Sequence, residues 1–183
     1  MVVLTGKERV KKAFRGEATD RVPWVPFVGC HGGAILGITA SDHLRSEQHL
    51  VRGVEAAIAR YKPDGIPVAF DLQIEAEVLG CELVWADQTP PAVRSHPLSN
   101  GHKLEDLRVP TPECGRIKTV LAAARHVSRD HSDIALYGLI TGPFTLALHL
   151  LGTDIFVKMF DAPEQVGRIM AFCRDVCMAM AGY

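Results

Sequence analysis

The sequence is short of several things, and each shortage removes a class of protein. No apolar run approaches the roughly 20 residues that span a bilayer as a helix, so no membrane role is expected. Neither sign of charge is in surplus: 20 Lys and Arg stand against 21 Asp and Glu, for a formal net charge of −1. The basic excess of a nucleic-acid binder is therefore missing. Cysteine is sparse and odd in number, five residues at irregular spacing, which suits a reducing compartment better than a disulfide framework. The opening residues Met1–Lys7 lack the basic-then-apolar layout of a secretory signal. Internal repeats, low-complexity tracts and flexible linkers are absent too. What remains is 183 residues, 48% of them hydrophobic, enough for one domain with a substantial core. The expectation is a soluble, cytoplasmic globular chain.

The stretch that organises the rest is Gly65–Gly80. Ile66-Pro67-Val68-Ala69-Phe70 is apolar on both faces and of strand length, as befits a strand buried in a parallel sheet. It delivers Asp71 at its C-terminal end, where parallel α/β folds gather ligands and chemistry. The competing role for Asp71 is to cap the helical turn that follows. Glu75 and Glu77 come next, and Gly80 closes the segment.

Around this stretch, helices and apolar strands alternate. Thr5 with Glu8 three residues on is a capping box; Val10, Ala13 and Phe14 share a face, and Gly16 stops the helix. Val22–Val28 reads as an extended apolar strand whose Pro23 and Pro26 make it short, irregular or near an edge. Gly29-Cys30-His31-Gly32-Gly33 reads as a loop. Adjacent Cys and His rarely share one metal ion, so backbone approach to a ligand is the better use of its glycines. Ser46–Tyr61 has helical spacing through Leu50, Val54, Ala57, Ile58 and Tyr61. Cys81–Ala86 and Ala92–Ser95 form a small β excursion across Thr89-Pro90-Pro91. Ser99–Cys114 is a polar surface connection.

Arg116–Arg129 is a helix, Ile134–Ile140 a second buried strand, and Phe144–Leu151 an apolar helix ended by Gly152. His149 sits among leucines on that last helix, where a core histidine competes with a functional one. Asp161, Pro163 and Glu164 start the final helix. Its Cys173 and Cys177, one turn apart, read as small core residues rather than ligands. Such alternation implies a parallel α/β sheet. Three or so principal strands are too few for a closed eight-stranded barrel, which needs ~250 residues.

Three segments resemble the uroporphyrinogen decarboxylase superfamily, which also holds corrinoid-dependent methyltransferases that pass methyl groups to thiols such as coenzyme M. They are KERVKKAFRGEATDRVPWVP at Lys7–Pro26, FDLQIEAEVLG at Phe70–Gly80 and GLITGPFTLALHLLG at Gly138–Gly152. The resemblance implies that residues 1–183 are the N-terminal half of a (β/α)8 TIM barrel, with three to four barrel strands. It gives Asp71 the place of the decarboxylase's essential aspartate, and His149 the place of an active-site tyrosine. These two are the expected catalytic residues; Cys30, His31, Gly32, Phe70, Glu75, Glu77, Gly142 and Phe144 are the expected ligand contacts.

Two departures separate the branches. Decarboxylases carry an Arg-rich loop where this chain has Gly29–Ala34, without arginine; a polycarboxylate tetrapyrrole calls for guanidinium partners. Together with His149, this favours methyl transfer between a corrinoid and a thiol over uroporphyrinogen decarboxylation. The methyltransferases hold the acceptor thiol on zinc through His-x-Cys and a later Cys, and no His-x-Cys triplet occurs here. The expectation is thus no metal or cofactor in this chain itself, with zinc in the complete enzyme. A fragment that pairs with its other half or a second copy is expected, and an inert truncated or assembly module is the reading from another class.

Overall fold

The computed structural model describes residues 3–183. In chain order the elements are α1 (Gly6–Phe14), α2 (His31–Ile35), α3 (Ala40–Arg45), α4 (Glu47–Tyr61), β1 (Gly65–Pro67), α5 (Ile74–Val78), β2 (Leu83–Val84) and β3 (Ala92–Val93). A 3-10 turn at Leu104–Asp106 precedes α6 (Gly115–Asp130), β4 (Ala135–Tyr137), α7 (Pro143–Leu151), α8 (Asp154–Asp161) and α9 (Pro163–Gly182). The chain divides into two units. One holds the residues up to Asp71 with Ala86–Pro90 and Thr119–Leu139; the other holds Leu72–Trp85, Pro91–Lys118 and Ile140–Tyr183. Among the described residues no single helix is long and apolar enough to cross a membrane.

The first unit is built on a parallel pair, β1 with β4, in the register Gly65↔Ala135, Ile66↔Leu136 and Pro67↔Tyr137. Both strands are shorter than the apolar runs that announce them. Pro67 has no N–H to donate, so the ladder ends there although Val68 and Ala69 stay buried. Val22–Val28 forms no strand. Its tie to β1 is the Asp64 N–H donated to Trp24 O at 2.9 Å; Pro23 and Pro26 remove the donors a ladder needs. The three to four strands expected of a barrel segment are therefore two here.

Helix α1 begins as its capping box dictates: Thr5 Oγ1 accepts the Glu8 N–H at 3.2 Å, and Glu8 Oε2 accepts the Thr5 N–H at 2.9 Å. Its apolar face is not buried, since Phe14 is 89% exposed. Val10 and Phe14 instead line an open groove of about 760 Å³ with Val25, Phe27, Leu136 and Tyr137. The buried residue of α1 is Arg9. The expected loop at Gly29–Gly33 runs into α2, where Gly32 and Gly33 are buried. A Cβ on Gly32 would stand 3.0 Å from Gly53 O, and one on Gly33 would stand 2.8 Å from His43 Cβ. These glycines serve helix–helix approach of α2 onto α3 and α4.

The second unit has its own core of α7, α8 and α9, where Leu146, Leu150, Leu151, Ile155, Ile169 and Cys173 are all but fully buried. The β excursion is the antiparallel pair β2–β3, with Leu83↔Val93 and Val84↔Ala92. Helix α7 ends at Gly152, whose φ of 64° few other residues tolerate. Helix α8 has no counterpart in the sequence reading, and Asp161 is its last residue rather than a cap. Helix α9 starts without a side-chain cap, with Pro163 in its first turn; proline there has no N–H left to satisfy.

Candidate functional site

In the first unit, Asp71 lies just beyond β1, 2% exposed, at the end of the buried stretch Ile66–Ala69. Burial pushes the Cys30 thiol above its ordinary range, and the Asp71 carboxylate pushes it further. The Asp71 carboxylate at the strand end is thus felt electrostatically at Cys30, the residue that enters α2. Phe70 packs against Phe27 with the rings tilted by 55° and their centroids 5.5 Å apart, and Phe27 meets Tyr137 edge-on at 6.2 Å. Gly29, at φ 48°, seats on Phe70 Cβ. His31 turns away from this group: its Nε2 lies 2.7 Å from Tyr61 Oη. Gly32 is packed on Gly53, as above, and does not line an open loop.

The entrance to this unit is held by charge. Asp64 accepts Arg21 Nη1 at 2.5 Å, Arg21 Nη2 at 2.7 Å and the Trp24 N–H at 2.7 Å, as well as Arg9 Nη1. Arg9 Nε also donates to Asp20 Oδ1 at 2.6 Å. Hydrogen bonding to Asp20 lifts the Arg9 guanidinium above its usual range, and the same bond carries Asp20 well below the carboxylate range. For Asp64, burial acts upward, but Arg21, the Trp24 N–H and Arg9 outweigh it and lower the carboxyl. The Asp20-Arg21-Val22-Pro23 run is therefore a lock on the residue before β1.

The second unit holds the other carboxylates. Glu75 is 1% exposed on α5, and its Oε1 accepts the Thr141 N–H at 3.0 Å. The Thr141 hydroxyl lies 2.5 Å from Leu72 O and 3.0 Å from Glu75 Oε2, two acceptors for one proton. Cys177 Sγ donates to Thr141 O at 2.9 Å. Burial raises the Cys177 thiol and Glu75 adds to the rise. Glu77 Oε2 accepts Arg116 Nε at 2.6 Å, and the Arg116 guanidinium lies 4.8 Å over the Trp85 ring.

His149 is half-buried on α7, and its Nδ1 is a buried atom with no hydrogen-bond partner among the described residues. Burial, then the nearby His96, lowers its pKa, so the ring is neutral at pH 7. His149 O accepts from His96 Nδ1 at 2.8 Å. A carbonyl only accepts, so His96 carries its proton on Nδ1. Gly142 caps α7 and Phe144, 43% exposed, faces Phe156 with centroids 6.3 Å apart.

The structure thus groups Asp71, Cys30 and Phe70 in one unit, and Glu75 with Thr141 in the other. Thr141 is the residue the sequence reading missed as an actor: it falls just past the strand read at Ile134–Ile140. Its Thr-Gly-Pro setting ahead of a helix was the signal, because a hydroxyl there finds backbone acceptors.

The uroporphyrinogen decarboxylase (URO-D) family model matches residues 5–183. The chain is 30% identical to the methylcobamide:CoM methyltransferase MtbA of Methanosarcina mazei, over 99% of this chain and 55% of that protein. It is 36% identical to a methylated-thiol–coenzyme M methyltransferase of the same organism, over 96% of this chain and 49% of that protein. A solved methyltransferase structure from Methanosarcina mazei matches with a TM-score of 0.85 at 21% identity, covering 94% of this chain and 53% of that one. That last likeness speaks to the α/β fold alone. The chain spans about half the length of the curated relatives it matches.

Proposed function

Because the chain belongs to the uroporphyrinogen decarboxylase (URO-D) family, we propose that it provides one side of the ligand site in an enzyme moving a methyl group from a corrinoid to a thiol. One observation carries the reading: Asp71 is buried just beyond β1, and the Gly29–Ala34 stretch brings no guanidinium. A polycarboxylate tetrapyrrole brings carboxylates of its own. Unless guanidinium partners offset that charge, the cost is several kcal/mol per buried ion. The amide-rimmed edge of a corrinoid instead offers N–H donors that a carboxylate accepts. The names of the matched relatives, all methyltransferases, support the same choice.

In this reading Asp71, in the first unit, accepts a hydrogen bond from the ligand. Thr141 fixes the Glu75 rotamer, and neutral His149 supplies a hydrogen bond without charge. Phe70 and Phe144 offer flat apolar surface to a macrocycle. Cys30, His31, Gly32, Glu77 and Gly142 shape the surroundings. The β1–β4 pair is taken as two neighbouring strands of a (β/α)8 barrel. The groove beside α1 is the face that further barrel elements, or a second copy of the chain, cover. Cytoplasmic localisation goes with that activity.

The thiol-activating zinc implied by the family resemblance does not fit the residues present. The chain has no His-x-Cys triplet, and among the described residues no cysteine joins a cluster of metal-ligating side chains. Burial holds the Cys173 thiol up at about 12, the reverse of what a thiolate ligand needs.

Paired assays of the purified protein test the proposal: equilibrium binding of methylcobalamin, and decarboxylation of uroporphyrinogen. Methylcobalamin binding that weakens in Asp71→Asn is expected; uroporphyrinogen turnover that falls in Asp71→Asn overturns the reading.

A further inference from the structure

Outside the site described above, the first unit contains a second constellation of chemistry-bearing side chains. Glu55 on α4 and His126 and Asp130 on α6 bring one ligand atom each within 4.8 Å of one another. We propose that these three residues form a site for a first-row divalent cation, with Zn²⁺ as its natural probe.

Helix geometry makes the pair on α6. Residues four apart share one face, so His126 and Asp130 project side by side, and His126 Nε2 lies 3.3 Å from Asp130 Oδ2. Two ligands with bonds of about 2.0 Å to a tetrahedral ion stand about 3.3 Å apart, so this pair is already at ligand spacing. The Asp130 carboxylate is oriented as well. Its Oδ1 takes the Arg129 Nε–H at 2.9 Å, which turns Oδ2 toward His126; such outer hydrogen bonds orient metal ligands.

Glu55 comes from the neighbouring helix and is only half-buried, so a rotamer change closes its remaining distance. Glu55 and His126 also line a cavity of about 540 Å³, which leaves room for the water that completes four-coordination. Arg52 on that rim opposes a cation, and Glu47 beside it offsets the charge.

The donor set selects the metal. One imidazole and two carboxylates suit Zn²⁺ and its first-row neighbours, whereas Ca²⁺ and Mg²⁺ prefer oxygen alone. This ligand set differs from the His-x-Cys and later Cys that the family resemblance implies. A cation here ties α4 to α6 within the first unit and stabilises it by mass action.

The test is calorimetric titration of the purified protein with ZnCl2, beside His126→Ala, Glu55→Gln and, as a control, His102→Ala at an exposed histidine elsewhere. The same titration followed by NMR of the histidine ring signals of the unsubstituted protein gives a readout independent of variant folding. Expected are at least tenfold weaker binding in His126→Ala and Glu55→Gln, unchanged binding in His102→Ala, and His126 ring signals that move at one equivalent of Zn²⁺. Equal affinity in all four proteins overturns the proposal, as do His126 signals that stay in place or an unsubstituted protein that binds no Zn²⁺.

Discussion

Thr141 gives its backbone N–H to Glu75 Oε1 at 3.0 Å, and both residues are 1% exposed. A buried carboxylate is costly unless its lone pairs are met, so this contact explains how α5 can carry Glu75 inward. Thr141→Val keeps the shape and the N–H bond but removes the hydroxyl beside Glu75 Oε2. A loss of about 1–3 kcal/mol is expected for a buried acceptor left short of a donor, read as a lower urea midpoint with an unchanged slope. An unaltered midpoint would show the hydroxyl to be dispensable.

The Arg9–Asp64–Arg21 lock predicts acid sensitivity of a definite sign. The folded-state pKa values of Asp20 and Asp64 lie below their ordinary value of 3.8. Their stabilisation is thus complete above that value and fades as pH falls through the lower folded values. Urea midpoints measured from pH 6 downward should hold until the pH nears 4 and then drop. Asp64→Asn should lose about 1–3 kcal/mol, because the buried Arg9 keeps Asp20 but loses the Asp64 carboxylate, and should show a shallower acid dependence than the unsubstituted protein.

Cys30 reports on Asp71. With burial the larger cause and the carboxylate the smaller, Asp71→Asn should lower the Cys30 pKa and so raise its thiolate fraction. Alkylation of Cys30 by iodoacetamide at pH 8, followed by mass spectrometry, should then speed up. An identical rate would place the carboxylate's field elsewhere.

Gly32 predicts a steric effect on the same segment. Gly32→Ala sets a Cβ 3.0 Å from Gly53 O, a backbone atom that cannot rotate away. Overpacking of this kind costs about 1–3 kcal/mol, visible in thermal unfolding. Gly142→Ala, at a glycine with nothing within 4 Å of the added carbon and an ordinary φ of −68°, should be nearly silent.

Which features were readable beforehand follows from how local their causes are. Thr5 and Glu8 cap α1 through atoms three residues apart, and Gly152 ends α7 by its own backbone, so both were visible in the residue order. The apolar runs around Ile66 and Leu136 announced β1 and β4 for the same reason. Their lengths were not visible, because Pro67 ends the ladder only once a partner strand is in place. The glycines at 32 and 33 looked like a loop; their use is contact with Gly53 and His43, partners distant in sequence. Helix α8 is harder to read because it is only eight residues long and the Asp161 that ends it resembles a cap for the helix that follows. Asp71 and Glu75 were singled out from their place after a buried strand, whereas Thr141 matters only through Glu75, 66 residues away.

Equilibrium binding of methylcobalamin to the purified protein, with uroporphyrin as competitor, tests the central claim most directly. The account predicts saturable binding of the corrinoid, weakened in Asp71→Asn and indifferent to uroporphyrin. Tight binding of uroporphyrin that displaces methylcobalamin would contradict it.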